Sequence, residues 1–261
     1  MNHTGTADFL TMEGELNGKS EVGLILPTYC EVSNIEKLIK NIEDLKLDVR
    51  LLVIDDSSPD GTASAVRELQ KSYSNILLLE RPQKSGLGTA ITDGFKALLW
   101  LKNPPTYIVT MDADYSHNPK DVPRAISAAK EGNGLAIGSR YCKGGGVVKW
   151  SMFRRLTSRV ANILALLLVR AQIHDYTSGL RCYSTRLVSE IVPDLHSQTY
   201  EIQIETIRQA RRRGFEVQEF PMTFVNRKNG KSKLSANEIR EFISYILRLK
   251  RHKSPKTSLQ N

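Results

Sequence analysis

Short apolar runs rich in β-branched residues recur along the first half of the chain, each followed by a stretch with helical periodicity. They cover residues 22–29 (VGLILPTY), 49–54, 76–79, 107–111 and, more briefly, 135–138. Between them, Ile35, Leu38, Ile39, Ile42 and Leu45 form one helical stripe, and Ile91, Phe95, Leu98 and Leu99 form another. Continuous apolar runs, as opposed to alternating ones, belong to strands buried on both faces. Strands alternating with helices at this spacing predict an α/β domain with a mainly parallel sheet flanked by helices. In such sheets ligands bind beyond the carboxyl ends of the strands, so the residues that end each run are the candidates for function.

Those ends are polar. Tyr29 and Glu31 follow the first run, Asp55 and Asp56 the second, and Asp112-Ala113-Asp114 the fourth. On an extended segment, side chains two residues apart point the same way, so Asp112 and Asp114 share a face. Like charges so placed repel unless a cation lies between them. Mg2+ or Mn2+, held by carboxylate oxygens and a substrate diphosphate, meets that need. The competing reading is a polar turn in which Asp114 or Ser116 caps a helix opened by Asn118-Pro119. Acids delivered from three strands to one rim favour the site. A dinucleotide fold is excluded, because the first turn (PTYCE, 27–31) has no glycines and Gly86-Leu87-Gly88 is only a fragment of the pattern. No phosphate-binding GxxxxGK[ST] loop occurs either, so a bound nucleotide diphosphate must be neutralised by metal and side chains.

The second half carries the cations. The formal net charge is +9, and residues 227–261 hold ten Lys and Arg against two acids, leaving the remainder near neutral. Such a region can meet nucleic acid, anionic lipid or a phosphorylated substrate. Three cysteines, far apart and without CxxC spacing, argue against a disulfide framework or a zinc site and fit a reducing compartment. No signal peptide opens the chain, and the longest apolar run, 163–169, is far short of a membrane span. Residues 1–20 read as a disordered tail, 21–251 as one domain, and 252–261 as a basic flexible tail. Within the domain, helices are expected over 151–170, 199–213 and 235–251, with a polar turn at 175–179 and a strand over 216–225. Capping boxes are read at Ser33-x-x-Glu36 and Ser235-x-x-Glu238. The 235–251 helix has an apolar face and a basic end, which suits core packing or a membrane interface. Glycines and lysines in 143–149 and 228–233 suggest loops that close over a ligand.

The segments LPTYCE, VIDDSSPDG, GLGTA, MDADYSHNP, GSRY, DYTSGLR and FVNRKNGKSK, in this order, resemble the dolichyl-phosphate mannose synthases. These are inverting, metal-dependent family-two glycosyltransferases, and the resemblance covers about residues 22–251. It implies a single GT-A type nucleotide-diphospho-sugar transferase domain. It also implies transfer of mannose from GDP-mannose to dolichyl or another polyprenyl phosphate. Carried over by position, Pro27, Tyr29, Glu31, Ile54 and Asp56 would line the guanosine pocket. Asp112, Ala113 and Asp114 would meet the diphosphate, with Asp112, Asp114 and Ser116 around Mg2+ or Mn2+. Arg140, Arg227 and Lys233 would serve donor and acceptor phosphates, and Arg154 the acceptor phosphate. Asp112, Asp114 and Arg140 would then be the catalytic set. Cys30 stands where the family usually has Asn. The acceptor phosphate is already largely dianionic, so neither a general base nor a histidine beside these motifs is expected. Asp175 suits either orienting the acceptor or capping a turn. The resemblance further implies a peripheral enzyme on the cytoplasmic face of a membrane, brought to the lipid by a small membrane-anchored partner protein or by direct binding; nucleic acid is not expected, since no aromatics interleave the cations. A transferase using another nucleotide sugar is the alternative, and a phosphate-reading nucleic-acid-binding protein the remote one.

Overall fold

The computed structural model describes residues 12–226 other than residue 133, together with Tyr245. Ten strands and seven α-helices are formed among these residues. The strands are β1 (Met12–Glu13), β2 (Val22–Thr28), β3 (Val49–Asp55), β4 (Ile76–Glu80), β5 (Tyr107–Thr110), β6 (Leu135–Ser139), β7 (Gly146–Val148), β8 (Arg181–Ser184), β9 (Val217–Pro221) and β10 (Thr223–Val225). The helices are α1 (Val32–Glu43), α2 (Thr62–Gln70), α3 (Leu87–Trp100), α4 (Val122–Gly132), α5 (Met152–Val169), α6 (Thr185–Ile191) and α7 (Ile202–Arg212).

Eight strands form one sheet in the order β1-β4-β3-β2-β5-β8-β6-β9. The apolar runs divide their side chains between two cores, as period-two geometry requires. Leu24 and Leu26 of β2 and Leu51 and Val53 of β3 pack with α1, α2 and α4. Ile25, Leu52 and Ile54 point the other way, into the core beneath α3, α6 and α7. Gly94 lets α3 approach this face closely: a Cβ there would come within 2.6 Å of Ile54 Cδ1 and 2.9 Å of Ile25 Cδ1. From β2 the chain steps outward through β3 to β4, then α3 returns it to lay β5 on the other side of β2. The order of winding reverses between β2 and β5, which opens a crevice at their carboxyl ends.

The sheet is mainly parallel, as expected, with β8 lying antiparallel between β5 and β6. Several local expectations are corrected. The expected strand over 216–225 breaks at Met222, with β9 in the main sheet and β10 pairing in parallel with β7. That pairing makes 146–148 a strand where a flexible loop was expected. Part of the expected N-terminal tail is ordered too, since β1 pairs with β4 and Glu13 bridges Arg67 (2.7 Å). Ser33 does not cap α1. The helix starts after Glu31, and its first N–H groups find partners in the next βα turn: Glu31 N–H donates to Thr62 Oγ1 (3.0 Å) and Val32 N–H to Asp60 (3.1 Å). The helix and capping box expected over 235–251 lie outside the described residues, except that Tyr245 is buried in the core with α3 and α7.

Arg181 of β8 is wholly buried, and among the described residues no carboxylate is hydrogen-bonded to it. Its guanidinium donates to the carbonyls of Ser178 (2.8 Å), Tyr176 (2.9 Å) and Gln203 (2.6 Å) and to Thr206 Oγ1 (2.9 Å). It thereby binds the 175–179 turn to the start of α7. Arg181→Ala strands several buried acceptors, so urea unfolding should register a loss of about 3 kcal/mol or more.

Candidate active site

The two acids that end β3 face opposite ways. Asp55 is turned inward, accepting from Thr28 Oγ1 (2.8 Å), Ser58 N–H (2.8 Å) and Ser58 Oγ (2.6 Å). It ties the tips of β2 and β3 together. Asp56 faces the crevice, where Arg81 Nε donates to it at 2.6 Å and the Ser85 N–H at 3.3 Å. Burial pushes the Asp56 carboxyl above its ordinary range, and Arg81 offsets this only in part. Pro27, Tyr29 and Glu31 from the end of β2 line the same crevice as Asp56. Ile54 does not reach it. Its side chain is fully buried beneath α3, so the expected pocket role fails for that side chain.

Asp112, Ala113 and Asp114, just past β5, form the facing wall. The turn that follows is held from several sides. Tyr115 adopts a left-handed backbone (φ 62°) and donates its hydroxyl to Lys37 O on α1 (3.2 Å). Asp114 Oδ1 accepts the Ser116 N–H (3.0 Å). The helical cap is Asn118, whose Oδ1 accepts the Lys120 N–H (3.1 Å), so neither Asp114 nor Ser116 is spent on it. Ser116 Oγ is buried with no hydrogen-bond partner among the described residues. Against expectation, a histidine does lie beside the motif. His117 is buried, with Nδ1 accepting the Asp112 N–H (3.4 Å) and lying 3.9 Å from Asp112 Oδ2. Its ring meets Phe224 edge-on at 5.3 Å, so it braces the turn. Gly179 backs Asp112 from the opposite side, where a Cβ would come within 2.9 Å of Oδ1.

The third wall is the loop after β4, which sequence reasoning passed over. Arg81 ties it down, donating to Asp56, Thr89 Oγ1 (2.9 Å), Asp93 (3.1 Å) and Gly86 O (3.2 Å). Lys84 then stands 4.3 Å above the Tyr29 ring, a cation–π contact at the mouth of the crevice. Gly86 (φ 100°) abuts Gln198 O, and Tyr200 completes the lining. The one available signal was the Gly86-Leu87-Gly88 fragment, since only glycine fits that left-handed close approach.

Arg140 is committed. At the end of β6 it is buried and clamped by Asp175: Nε and Nη2 each donate to the carboxylate at 2.7 Å and the backbone N–H at 3.0 Å. Nη2 also reaches Thr177 Oγ1 (2.6 Å). Burial opposes both charges, but their attraction outweighs it, holding Asp175 below the usual carboxylate range and Arg140 above its own value. Asp175 is therefore the anchor of Arg140. The Arg140 guanidinium still acts on Asp112 through space. It lies 5.4 Å from the Trp150 ring, and Arg154 lies 4.3 Å from the same ring. Arg154 Nη1 also donates to Asn226 Oδ1 (2.6 Å). The expected phosphate ligands Arg227 and Lys233 lie outside the described residues. Cys30, Cys142 and Cys182 form no disulfide.

The family model "Glycosyl transferase family 2" matches residues 24–192. The polyprenol monophosphomannose synthase of Mycolicibacterium smegmatis is 38% identical over 221 residues, covering 84% of this chain and 82% of that one. The dolichol-phosphate mannosyltransferase of Pyrococcus furiosus is 35% identical over 88% of this chain, which spans 63% of that longer protein. Among solved structures, glucosyl-3-phosphoglycerate synthase from Mycobacterium tuberculosis, with Mn2+, UDP and phosphoglyceric acid, superposes with a TM-score of 0.67 at 20% identity, covering 88% and 78% of the two chains. A mannosyltransferase from Pyrobaculum calidifontis, with GDP-Man and Mn2+, gives 0.59 at 17% identity, covering 93% and 68%. At these identities the two structures speak for the fold.

Cys30 occupies the left-handed region (φ 57°), which costs most residues about 1 kcal/mol and asparagine less. Cys30→Asn should raise the unfolding free energy by roughly 0.5–1 kcal/mol, read by chemical denaturation. For Asp175, whose native pKa is depressed, the carboxylate contributes stability fully above its unfolded value near ~4. That contribution fades as pH falls through the lower native value. The stability gap between the parent and Asp175→Asn should therefore be full at neutral pH and shrink below about pH 4.

Proposed function

This chain belongs to glycosyl transferase family 2, and from that premise we propose that it transfers mannose from GDP-mannose to dolichyl or another polyprenyl phosphate. The observation that carries the reading is the meeting of acids from the tips of β2, β3 and β5 in one crevice, with Asp112 in the field of Arg140. The names and activities of the two mannosyl-transferring relatives support the choice of sugar and acceptor.

In this reading Pro27, Tyr29, Glu31 and Asp56 receive the nucleoside, and Lys84 holds the Tyr29 ring at the mouth. Asp112, Ala113 and Asp114 face the diphosphate. A divalent cation fits there. Two carboxylates share one wall, the Ser116 hydroxyl is buried without a partner, and no larger cluster of His, Cys, Asp or Glu forms among the described residues. That donor set suits Mg2+ or Mn2+, which take one or two carboxylates and complete their shell with substrate phosphates. Bound there, the ion supplies Lewis-acid stabilisation of the leaving diphosphate. Arg140, spent on Asp175, acts at a distance by offsetting part of the negative charge of Asp112.

Arg154, with Arg227 and Lys233, receives the acceptor phosphate and offsets its repulsion from the donor. A phosphate oxygen bonds to the anomeric carbon while the bond from that carbon to the diphosphate breaks, inverting the centre and releasing GDP. A phosphate monoester has its second pKa near ~6, so the nucleophile needs little deprotonation. His117 does not supply a base, because its Nδ1 is occupied by the Asp112 N–H and the ring is buried. Among the described residues no helix is long and apolar enough to cross a membrane. A peripheral position on the cytoplasmic face, with a small membrane-anchored partner, suits a lipid-borne acceptor.

Labelled GDP-mannose with dolichyl phosphate should yield labelled lipid that EDTA suppresses and Mn2+ restores, while UDP-glucose gives none. Asp114→Asn should lower turnover by about 10²–10³-fold with the fold retained by circular dichroism. Turnover that persists in EDTA, or that prefers another nucleotide sugar, overturns the reading.

A further inference from the structure

Tyr115 holds an unfavourable backbone conformation at the point where the acidic wall of the crevice turns. Its φ of 62° lies in the left-handed region, where the Cβ of any residue but glycine crowds a neighbouring carbonyl. At a bulky side chain such a conformation persists only where the surroundings impose it, and it clusters at functional sites. Here its local result is visible. The chain doubles back, and the Ser116 N–H meets Asp114 Oδ1 at 3.0 Å. The aim of the Asp114 carboxylate and the place of the buried Ser116 hydroxyl both follow from the step at Tyr115.

Side-chain bonding to α1 imposes that step. The segment is still joined to β2 at the Met111 N–H, which donates to Ile25 O (3.1 Å). Past that point β10 holds the turn on one side, its Val225 N–H donating to Ser116 O (3.0 Å). Toward α1 the Tyr115 hydroxyl donates to Lys37 O (3.2 Å) and accepts from Asn41 Nδ2. Lys37 Nζ also lies 5.5 Å from the centre of the Tyr115 ring. Lys37 and Asn41 are four residues apart and therefore neighbours on the helix surface, so a rigid element offers the hydroxyl both an acceptor and a donor.

The same helix begins at the nucleoside wall. Glu31, which lines the crevice, immediately precedes α1, and the helix start is fixed by Thr62 and Asp60. Through α1 the wall at the end of β2 is thus joined to the turn after β5 by a route separate from the sheet. Two walls that grip one ligand at its two ends need their spacing held to within ~0.5 Å.

We propose that Tyr115 is a positioning residue for the donor site. Its hydroxyl, bonded to Lys37 O and Asn41 of α1, holds the left-handed turn that aims Asp114 and Ser116, and so sets the metal-facing wall relative to the nucleoside wall. The Tyr115 ring packs against the core behind that wall and is not part of the crevice lining. The role rests on the proposed transfer reaction in one respect, that the ligand spanning the two walls is a nucleoside diphosphate sugar held with a divalent ion.

The test is calorimetric binding of GDP to the full chain over a series of Mn2+ concentrations and in excess EDTA. Tyr115→Phe keeps the ring and deletes the hydroxyl. It should raise the Mn2+ concentration for half-maximal GDP binding about fivefold, the loss expected of one or two hydrogen bonds, and leave the affinity in EDTA unchanged. Asn41→Ala reaches the same hydroxyl from α1 and should act in the same direction, an independent reading should Tyr115→Phe not fold. The double variant should fall short of the product of the two single effects, because both break one network. Amide exchange without ligand should quicken over residues 112–118 in each variant and stay unchanged in the sheet. An unaltered Mn2+ requirement in both single variants overturns the proposal, as do single effects that multiply independently. A general loss of stability gives itself away by faster exchange throughout the sheet, and with the Mn2+ requirement unmoved it also overturns the proposal. A parent that binds GDP equally in Mn2+ and in EDTA sinks the metal-and-donor reading instead. Quickened exchange confined to 112–118 then leaves the tether standing, and unchanged exchange overturns that as well.

Discussion

Arg140 and Asp175 are buried together, and much of the site is arranged around keeping that pair satisfied. Removing two charges from water costs several kcal/mol per ion, which only near-complete hydrogen bonding offsets. Asp175 receives the Arg140 side chain twice, its backbone N–H, and the Thr177 N–H (3.1 Å), while Glu219 accepts the Asp175 N–H (2.8 Å). The ends of β6 and β9 and the 175–179 turn are thereby joined. From that turn Gly179 backs Asp112, and Thr177 and Tyr176 reach Asn162 of α5. One ion pair therefore relates the acidic wall of the crevice to the helix that carries Arg154.

The indole of Trp150 extends this arrangement outward. Arg140 and Arg154 both meet its ring, at 5.4 and 4.3 Å, with Phe224 edge-on to Trp150 at 5.3 Å. Both guanidinium groups gain from the negative face of an electron-rich ring, which offsets part of their mutual repulsion. The opposite rim has its own cation, Lys84 above Tyr29, placed by the hydrogen bonds of Arg81. Positive groups thus stand on both sides of a crevice walled by carboxylates. This is a suitable field for bringing a diphosphate and a second phosphate into proximity.

The resemblance noted in the sequence and the comparisons with known proteins agree on a family-two transferase, and the fold shows why the motifs recur at those places. Acids that end parallel strands converge at the reversal between β2 and β5 whatever the helices do. The acceptor side is less constrained by the sheet. In the proposed reading its described part is α5 and the β7–β10 ribbon, a pairing that no apolar run in the sequence foretold. The helix read at 235–251, for core packing or a membrane interface, lies outside the described residues apart from Tyr245; among the described residues, the exposed apolar face belongs to α5.

Residue order alone determined β2 to β6, their burial on both faces, and the polar tips. These follow from local periodicity and from where each apolar run stops. It also singled out Asp56, Asp112 and Asp114, which the crevice does bring together. Only the tertiary structure decided that Asp55 turns inward, that Ile54 is core, that His117 braces Asp112, and that Asp175 is Arg140's counter-ion 35 residues away. It alone placed β8 antiparallel within a parallel series. A helical stripe specifies that one side of α5 is apolar, but not whether that side meets protein or faces outward. Such matters turn on which distant surfaces come into contact, and no local pattern encodes them.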